Sequence, residues 1–430
     1  MSDAAAPEST VCSPEVAAEL AAEADRLLDF TRAAAVRGGF GWLGTDGAVV
    51  ERDLELWITC RMTHVAALGH LSGRAGFEEL VAHGVKALAN NFHDDINDGW
   101  HAAIGPDGRR PTRHDKEAYA HAFVILAASS AQLCEAPGSD DLLSGALAVH
   151  DQHFWDEEAG MSRESFSGDW RREEAYRGIN ANMHTVEAFL AAGDVTGDDR
   201  WHERAGRIVT RAIDGFARAN SWRLPEHFTA DWEPLPDYNR DEPAHPFRPY
   251  GATVGHALEW ARLTLATART LTTQQALDAG SAVPAGLAPE WAWATEAAIA
   301  LTDRAITDGW AVDGHDGFVY TTDWDGTPVV RQRMHWVLTE ALGAAWALHH
   351  ATGDPRWSAH FERWWTHAKG SMLDRDAGSW RHETDPDGTP ASGTWAGKPD
   401  TYHAVQAMLL PGLPLTPSFA SALATRHTPS

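Results

Sequence analysis

Three polar side chains share one face of a predicted helix in the middle of the chain. Asn180, His184 and Glu187 stand at positions i, i+4 and i+7, while Met183 and Phe189 fall at the spacing of a packed face. An imidazole titrates near neutral pH, so it can both accept and return a proton within one reaction. A helix that presents an amide, an imidazole and a carboxylate in a row is suited to line a polar cavity. A solvated helix face is the commoner explanation for such a stripe.

Two further histidines begin apolar segments that are far away in the sequence. His256 is followed by Glu259 at i+3, and His403 lies within residues 400–403, which open the last apolar run. The chain contains 23 histidines, so any single one is more often a surface or packing residue than a catalytic one. Three histidines at three helix starts nevertheless indicate a site that the fold assembles from distant segments.

One arginine stands in a strongly apolar segment near the start of the chain. Arg61 follows Trp57 at i+4 and precedes His64 at i+3, so the three share one stripe of a predicted helix. A guanidinium among Leu, Ile, Met and Cys is costly to bury unless it is paired or faces a wet cavity. We therefore treat Arg61 as a candidate ligand contact, with buried ion pairing as the alternative. Tyr119, which shares a helix face with Phe123, could offer its hydroxyl to the same cavity.

The chain lacks the motifs of several catalytic classes. It has no HExxH motif, no glycine-rich phosphate loop and no GxSxG motif, and His256 with Glu259 alone supplies too few ligands for a metal ion. We therefore predict neither a metal nor a cofactor. Two catalysts remain open on the residues alone. Histidine acid/base pairs suit proton transfer next to a carbonyl, as in sugar isomerisation or epimerisation, whereas a carboxylate pair would suit glycoside hydrolysis.

The composition limits the partners of the chain. Over 430 residues, 61 acidic against 35 basic side chains give a formal charge of −26, which argues against nucleic acid and anionic membranes as partners. The sequence shows no membrane span and no signal peptide, and Cys12, Cys60 and Cys134 form no zinc or disulfide pattern. We predict a cytoplasmic protein with a small-molecule partner; monomer and homo-oligomer are not distinguished. The 20 tryptophans suit an aromatic-walled pocket as well as core packing.

Apolar periodicity predicts about a dozen helical segments. They cover approximately residues 15–36, 53–72, 76–91, 116–134, 139–154, 181–196, 199–219, 252–272, 289–308, 331–352, 356–369 and 399–409. Short turns join some of them. Residues 196–201 and 352–357 are near copies of each other, and each contains the Gly that ends one helix and the Asp that begins the next.

The longer connections between helices carry the signature of paired strands. Each has a Gly near an aromatic residue, followed by an Asp-Gly turn. The four turns are at residues 46–47, 107–108, 325–326 and 387–388. A repeating unit of helix, tight turn, helix and β-containing loop is typical of a toroid of helical hairpins. Twelve helices in six pairs predict an all-α fold, an (α/α)6 barrel with short β-hairpins in the long loops at one rim.

No linker or change of composition interrupts the central part of the chain. We predict one catalytic domain at residues 14–415, between a flexible N-terminal tail at residues 1–13 and a flexible C-terminal tail at residues 416–430. Both tails are rich in small residues and proline, the composition of mobile termini.

Several longer segments are recognisable together. They are residues 38–44, 56–59, 176–184, 235–239, 243–245 and 395–403. With these segments the chain resembles the N-acylglucosamine 2-epimerase superfamily, and within it the group of bacterial mannose and sulfoquinovose isomerases. The resemblance covers nearly the whole chain, from Gly38 to Pro411, and the matching segments are far more specific than a four-residue pattern.

The resemblance implies an (α/α)6 barrel and metal-free histidine catalysis that interconverts an aldose and its 2-ketose through a cis-enediol. His256 and His403 then take the acid/base positions, and Glu259 positions or tunes His256. The substrate-binding residues that it implies are Trp57, Arg61, Tyr119, Asn180, His184, Arg248, Trp336 and Trp380.

Three positions depart from the pattern expected for a sulfonated sugar. Pro246, Pro399 and His382 stand where we expect sulfoquinovose isomerases to carry arginine, glutamine and glutamine. A neutral hexose fits better, so we expect conversion of D-mannose to D-fructose, with D-lyxose to D-xylulose as the pentose counterpart. The alternatives are a sugar 2-epimerase, a sulfoquinovose isomerase, an (α/α)6 glycoside hydrolase and a non-catalytic sugar-binding protein.

Overall fold

Thirteen α-helices make up nearly half of the chain that the structure describes. The computed structural model describes residues 10–426. Its α-helices are α1 (Pro14–Thr31), α2 (Leu56–Leu71), α3 (Phe77–Ala87), α4 (Ala118–Leu133), α5 (Ser139–Val149), α6 (Ile179–Thr196), α7 (Arg200–Val209), α8 (Val254–Asp278), α9 (Trp293–Gly309), α10 (His335–Thr352), α11 (Pro355–Ser371), α12 (Tyr402–Leu409) and α13 (Phe419–Arg426). Helices α3, α5 and α7 continue into π-helical turns at Leu88–Phe92, His150–Phe154 and Thr210–Ala217.

Short strands lie in the connections between the helices. They are β1 (Ala35–Val36), β2 (Gly39–Phe40), β3 (Leu54–Glu55), β4 (Ala103–Ile104), β5 (Pro111–Arg113), β6 (Lys116–Glu117), β7 (Trp155–Asp156), β8 (Met161–Ser162), β9 (Ser165–Phe166), β10 (Tyr176–Gly178), β11 (His227–Thr229), β12 (Ala252–Thr253), β13 (Thr321–Thr322), β14 (Pro328–Val330), β15 (Arg333–Met334) and β16 (Glu383–Thr384). All pair antiparallel, in sheets of two or three strands.

The helices form two concentric rings. The even-numbered helices from α2 to α12 pack on one another in order, and α12 also packs on α2, which closes the inner ring. The odd-numbered helices from α1 to α11 pack against the outside of this ring. The predicted (α/α)6 barrel is therefore confirmed.

Burial distinguishes the two rings. Every residue of α2 from Leu56 to Gly69 is buried, because the barrel interior lies on one side and the outer helices on the other. The hydroxyl of Thr63 is satisfied within the helix, where it donates to the carbonyl of Thr59 at 2.7 Å. In the outer helix α7, by contrast, Ile208 is buried while Arg207 is exposed. No helix within residues 10–426 is long and apolar enough to cross a membrane.

The predicted turns and hairpins are present. Gly197 and Gly353 end α6 and α10 with φ of 67° and 66°, the left-handed conformation that glycine adopts without strain. The carboxylate of Asp354 then accepts the amide of Arg356 at 2.9 Å and caps α11. Strands β4 and β5 flank the Asp-Gly turn at 107–108, and β13 and β14 flank that at 325–326.

A short strand directly precedes five of the six inner helices. Strands β3, β6, β10, β12 and β15 lead into α2, α4, α6, α8 and α10 without a break. The N-terminal ends of these inner helices therefore lie at the rim that carries the hairpins. The first turns of the inner helices meet there, around the end of the barrel interior.

The two chain ends differ from the sequence prediction. Helix α13 lies inside the predicted C-terminal tail, packs on α2, α4 and α6, and buries Ala420 and Leu423. Val11 and Cys12, in the predicted N-terminal tail, are also buried. Their apolar side chains pack on the barrel. The composition of the tails, rich in small residues and proline, did not predict this packing. The remaining tail residues, 1–9 and 427–430, lie outside the described residues.

Candidate active site

A cavity opens at the hairpin-bearing end of the inner ring. Its walls are formed by Trp57, Arg61, Tyr119, Asn180, His184, Pro246, Phe247, Pro249, His256, Glu259, Tyr320, His335, Trp336, His382, Trp395, Pro399, Asp400 and His403. All six inner helices contribute from their first two turns. The positive ends of these helix dipoles therefore surround the cavity, which favours negative charge on a bound molecule.

His403 enters the cavity from the first turn of α12. Its Nδ1 lies 2.9 Å from Oε1 of Glu340, on α10. With Glu340 ionised, its carboxylate can only accept this hydrogen bond, which places the hydrogen on Nδ1 and leaves Nε2 as the basic nitrogen. Burial, followed by the charge of Arg61, holds the pKa of His403 well below its ordinary value. The imidazole is therefore neutral at pH 7 and able to accept a proton.

His256 has the same arrangement with a different partner. Its Nδ1 lies 2.9 Å from Oε2 of Glu226, in the connection before β11. Glu226, rather than the predicted Glu259, therefore orients His256. Although Glu259 lies one turn further along α8, neither of its carboxylate oxygens has a hydrogen-bond partner. The i, i+3 spacing alone could not reveal this, because the partner comes from another segment.

Trp336 lies beside both histidines. Its ring centroid is 5.3 Å from that of His256 and 5.8 Å from that of His403. Gly255 makes room for this ring, because a Cβ at that position would lie 2.3 Å from Trp336. The flat indole face between two imidazoles is the kind of surface on which a sugar ring can pack.

Arg61 lies in the cavity wall, and both of its terminal nitrogens donate hydrogen bonds. One nitrogen donates to Oδ2 of Asp400 at 3.2 Å, and the other donates to the hydroxyl of Tyr119 at 2.9 Å. The guanidinium carbon also lies 4.5 Å from the ring centroid of Phe123. Arg61 is therefore ion-paired and also lines the cavity, while its contact with a ligand stays a prediction.

His184 occupies the deeper part of the same wall. Burial lowers the pKa of His184 to about 4, so this imidazole is neutral under ordinary conditions. Its Nδ1 has no hydrogen-bond partner and lies 3.9 Å from Oε2 of Glu187. Glu187 instead accepts the hydroxyl of Tyr402 and, at 3.2 Å, the amide of Gln406.

A compact group of carboxylates lies beneath the cavity. The ligating atoms of Glu259, Glu340 and His403 are within 4.8 Å of one another, the arrangement of a small cation site. A cation of the chain itself is already there, because the guanidinium of Arg262 is 3.3 Å from Glu340 and 3.7 Å from Glu259. Burial, and then the charge of Glu340, raises the pKa of Glu259 well above its ordinary value.

Nine of the eleven predicted site residues line the cavity, and two do not. Trp380 is fully buried elsewhere, where its indole nitrogen donates to Glu23 at 3.1 Å and its ring packs near Trp365. The prediction that Trp380 contacts the sugar is therefore wrong. Arg248 lies in the wider outer cavity that leads inward, with both terminal nitrogens on Glu174 at 2.7 and 2.9 Å.

The three positions that bear on substrate charge all line the cavity. Pro246 and Pro399 present no hydrogen-bond donors, and His382 packs against His335 with ring centroids 3.8 Å apart. Burial, and then the neighbouring His335, lowers the pKa of His382 well below its ordinary value. The imidazole of His382 is thus neutral and offers no positive charge to an anion.

The sequence and the fold match those of several known proteins. The family model for N-acylglucosamine 2-epimerase matches residues 38–407. A D-mannose isomerase of Thermobifida fusca is 51% identical over 409 residues, which cover 94% of this chain and 96% of that one. A D-mannose isomerase of Pseudomonas cannabina pv. alisalensis is 46% identical over 406 residues, covering 94% of each chain. The crystal structure of a D-mannose isomerase superposes with a TM-score of 0.82 at 26% identity, covering 92% of this chain and 97% of that one.

Proposed function

The chain belongs to the N-acylglucosamine 2-epimerase family, and from this membership we propose that it is an aldose–ketose isomerase that interconverts D-mannose and D-fructose. The observation that carries the proposal is the pair of cavity histidines, each held through Nδ1 by a buried carboxylate and both beside Trp336. Relatives named D-mannose isomerase, 51% and 46% identical over nearly the full length, support the same activity. D-Lyxose and D-xylulose are the proposed pentose pair.

His403 carries the carbon-bound proton in this proposal. In the open-chain aldose, the proton on C2 is acidic because the resulting carbanion delocalises into the C1 carbonyl. The neutral imidazole of His403 accepts this proton at Nε2, which gives a cis-enediol, and returns it to C1 on the same face. The proton on O2 moves to O1, and the product is the 2-ketose.

His256 handles the protons on oxygen. Opening of the pyranose requires a proton on the ring oxygen and removal of one from the anomeric hydroxyl. His256, oriented by Glu226 at 2.9 Å, moves these protons and then those between O1 and O2. Negative charge that develops on the enediolate is stabilised by Arg61 and by the six helix N-termini around the cavity.

A neutral sugar is the substrate that the cavity chemistry favours. The guanidinium of Arg61 is already paired with Asp400, and His382 is neutral. A sulfonate would therefore lack charge-assisted hydrogen bonds of about 1.5–3 kcal/mol each. With mannose and sulfoquinovose competing in one reaction, we expect kcat/KM for sulfoquinovose to be lower by roughly a hundredfold. Faster conversion of the sulfonated sugar would transfer the assignment to sulfoquinovose isomerase.

Catalysis is proposed to need neither metal nor cofactor, since histidine acid/base chemistry accounts for each proton transfer. Dialysis against EDTA should leave the rate unchanged. Loss of activity that Mn²⁺ or Co²⁺ restores would contradict this. A cytoplasmic location is proposed as well, and the three thiols of Cys12, Cys60 and Cys134, all unpaired, are compatible with it.

Proton NMR of mannose with the pure protein in D2O is the experiment that tests the function. We expect fructose to appear; the appearance of glucose would instead indicate a 2-epimerase, and binding without conversion a sugar-binding protein. His403→Ala and His256→Ala should each lower kcat by at least about a hundredfold. The control is His70→Ala, at the far end of α2. Near-normal turnover in a folded His403→Ala or His256→Ala variant would remove that histidine from the mechanism.

A further inference from the structure

One buried arginine lies directly beneath the pair formed by Glu340 and His403. Arg262, on α8, is 7% exposed and places Nη2 3.3 Å from Oε2 of Glu340. The other oxygen of Glu340 is the one that holds Nδ1 of His403 at 2.9 Å. Imidazole, carboxylate and guanidinium therefore form a continuous chain. The far side of Arg262 lines a second cavity, which α13 covers.

We propose that Arg262 is a positioning residue: its charge keeps the pair formed by Glu340 and His403 at one shared proton, located on Nδ1, so that Nε2 is basic at neutral pH. The inference rests on the proposed function only for the name of the reaction. The protonation state of the pair is a property of the folded protein and can be measured without substrate.

A second proton on this pair would prevent Nε2 of His403 from accepting a proton, whichever of the two groups bound it. If the proton goes to the imidazole, both ring nitrogens of His403 carry hydrogen. If it goes to the carboxyl of Glu340, that group donates to Nδ1, and the ring takes the tautomer with its hydrogen on Nε2. In both cases Nε2 has no lone pair to offer. The catalytic rate therefore follows the pKa of the pair as a whole.

Burial works against the singly protonated state. It raises the pKa of Glu340, and the neighbouring charge and hydrogen bond of Arg262 oppose that rise. Glu259 is 3.7 Å from Arg262, and burial, followed by the charge of Glu340, raises the pKa of Glu259 well above its ordinary value. Glu340 is the carboxylate that joins this guanidinium to His403, with 3.3 Å to Nη2 of Arg262 and 2.9 Å to Nδ1 of His403.

The other charged and titratable groups around the pair do not replace Arg262. Arg262 faces Glu340 on α10, Glu187 on α6, Glu259 on α8 and Tyr402 on α12, and His403 faces Arg61 on α2, Asp400, His335 on α10 and His184 on α6. The guanidinium of Arg61 is paired with Asp400 at 3.2 Å rather than with Glu340. The histidines are neutral at pH 7. Arg262 is therefore the cation that holds Glu340 ionised.

The test compares Arg262→Met with Arg262→Lys, which keeps the charge. In each variant we would measure the pH dependence of kcat for mannose. We would also follow the titration of the His403 ring by NMR, with its signal assigned as the one that disappears in His403→Gln. Removing an opposite charge at this distance shifts a pKa by about one to three units. We expect the acidic limb of kcat and the ring titration of Arg262→Met to move to higher pH by that amount. Arg262→Lys should return both to within about half a unit of the natural protein.

The matched control is Arg204→Met, which removes a buried arginine that pairs with Asp151 at 2.6 Å, away from the cavity. It should leave both curves in place. An unshifted pair titration in folded Arg262→Met would overturn the inference, and Arg262→Gln, close in shape and still a donor, gives the same reading if the methionine variant does not fold. If the natural protein did not isomerise mannose, the proposed function would fail, while the ring titration would still decide the role of Arg262.

Discussion

The histidines that line the cavity differ in what holds their nitrogens. His256 and His403 each have a carboxylate oxygen 2.9 Å from Nδ1. His335 and His382 contact backbone carbonyls instead, at 3.4 and 3.1 Å, and Nδ1 of His184 has no partner. A carboxylate fixes the tautomer and stabilises the imidazolium that forms during proton transfer, which a carbonyl does less well. This difference separates the proposed acid/base groups from the histidines that pack around them.

Replacement of Glu226 by Gln tests the orientation of His256. The amide keeps the shape of the side chain but removes its charge, so His256 loses the partner that stabilises its protonated form. We expect kcat to fall by about tenfold to a hundredfold, below the full effect of losing an acid/base group, while the melting temperature stays close to that of the natural protein. Glu233→Gln, an exposed position just after β11, is the control. Unchanged kcat in Glu226→Gln would show that the hydrogen bond seen here is not used.

Replacement of Trp380 and of Trp336 tests which of the two tryptophans contributes to packing and which contacts the substrate. Trp380→Phe removes the buried donor to Glu23 and should lower the free energy of unfolding by about 1–3 kcal/mol, with KM for mannose unchanged. Trp336→Phe shrinks the surface between the two histidines and should lower kcat/KM instead, with little loss of stability. Urea unfolding and steady-state kinetics on both variants measure this. A raised KM in Trp380→Phe would return that residue to the site.

The sequence identified the histidines but not their carboxylate partners. His256 and His403 stood out because each opens an apolar helix, a local pattern. Glu226 lies 30 residues before His256, and Glu340 lies 63 residues before His403. Pairings at such separations are created only when the barrel closes, so no local spacing reveals them. Trp380 was misplaced for a related reason, since its side chain turns away from the cavity into the core.

Packing between the rings depends on glycines that bring helices together. A Cβ at Gly84 of α3 would lie 2.0 Å from the hydroxyl of Thr63 on α2, whereas nothing lies within 4 Å of a Cβ at Gly145 of α5. Both glycines belong to outer helices, and neither needs a left-handed backbone. Their difference is therefore one of contact alone.

The same substitution should consequently have opposite effects at these two positions. Gly84→Ala forces α3 away from α2 and should destabilise the protein by about 1–3 kcal/mol. Gly145→Ala meets open space and should stabilise it by about 0.5–1 kcal/mol, the gain in helix propensity. Chemical denaturation of the two variants beside the natural protein provides the comparison. Stabilisation by both substitutions would show that α3 and α2 are not in close contact at Gly84.

All twelve barrel helices follow from apolar periodicity, because each runs for two turns or more and buries a continuous face. Their ends are less certain: α1 stops at Thr31 rather than near residue 36, and α8 continues to Asp278 rather than 272. Helix α13 was missed altogether. Its eight residues, three of them Ala, are too few for a clear periodic signal, and the barrel supplies the surface that stabilises them.

The whole barrel buries many imidazoles in neutral form. Burial lowers the pKa of His64, His184 and His335 to about 4, and that of His121 and His150 to about 3. In the unfolded chain each would titrate near about 6.5. Fewer groups have a comparable pKa shift that favours folding at acidic pH. One of them is Glu164, whose pKa is raised by burial to about 7.

Stability should therefore fall when the solution is acidified. Each buried histidine contributes stability that is present above about pH 6.5 and is lost as the pH falls toward its folded pKa, because the unfolded chain takes up the proton first. Each such proton corresponds to about 1.4 kcal/mol per pH unit, and the raised carboxylates offset only part of the sum. Calorimetric melting at about pH 7.5 and about pH 5.5 should show a clearly lower temperature at the acidic value. An equal or higher temperature there would contradict the neutral state of these imidazoles.

The closure of the inner ring by α12 determines when the chain can become active. Arg61 comes from the second helix, while Asp400 and His403 come from the last part of the ring, and the contact between Arg61 and Asp400 spans 339 residues. A chain folded only as far as α10 would hold most of the barrel but lack His403. Given the proposed role of His403, we expect activity to appear during synthesis or refolding only after α12 has docked. A partly assembled chain is then expected to be unable to start the proposed proton transfer, so it would release no reactive enediol.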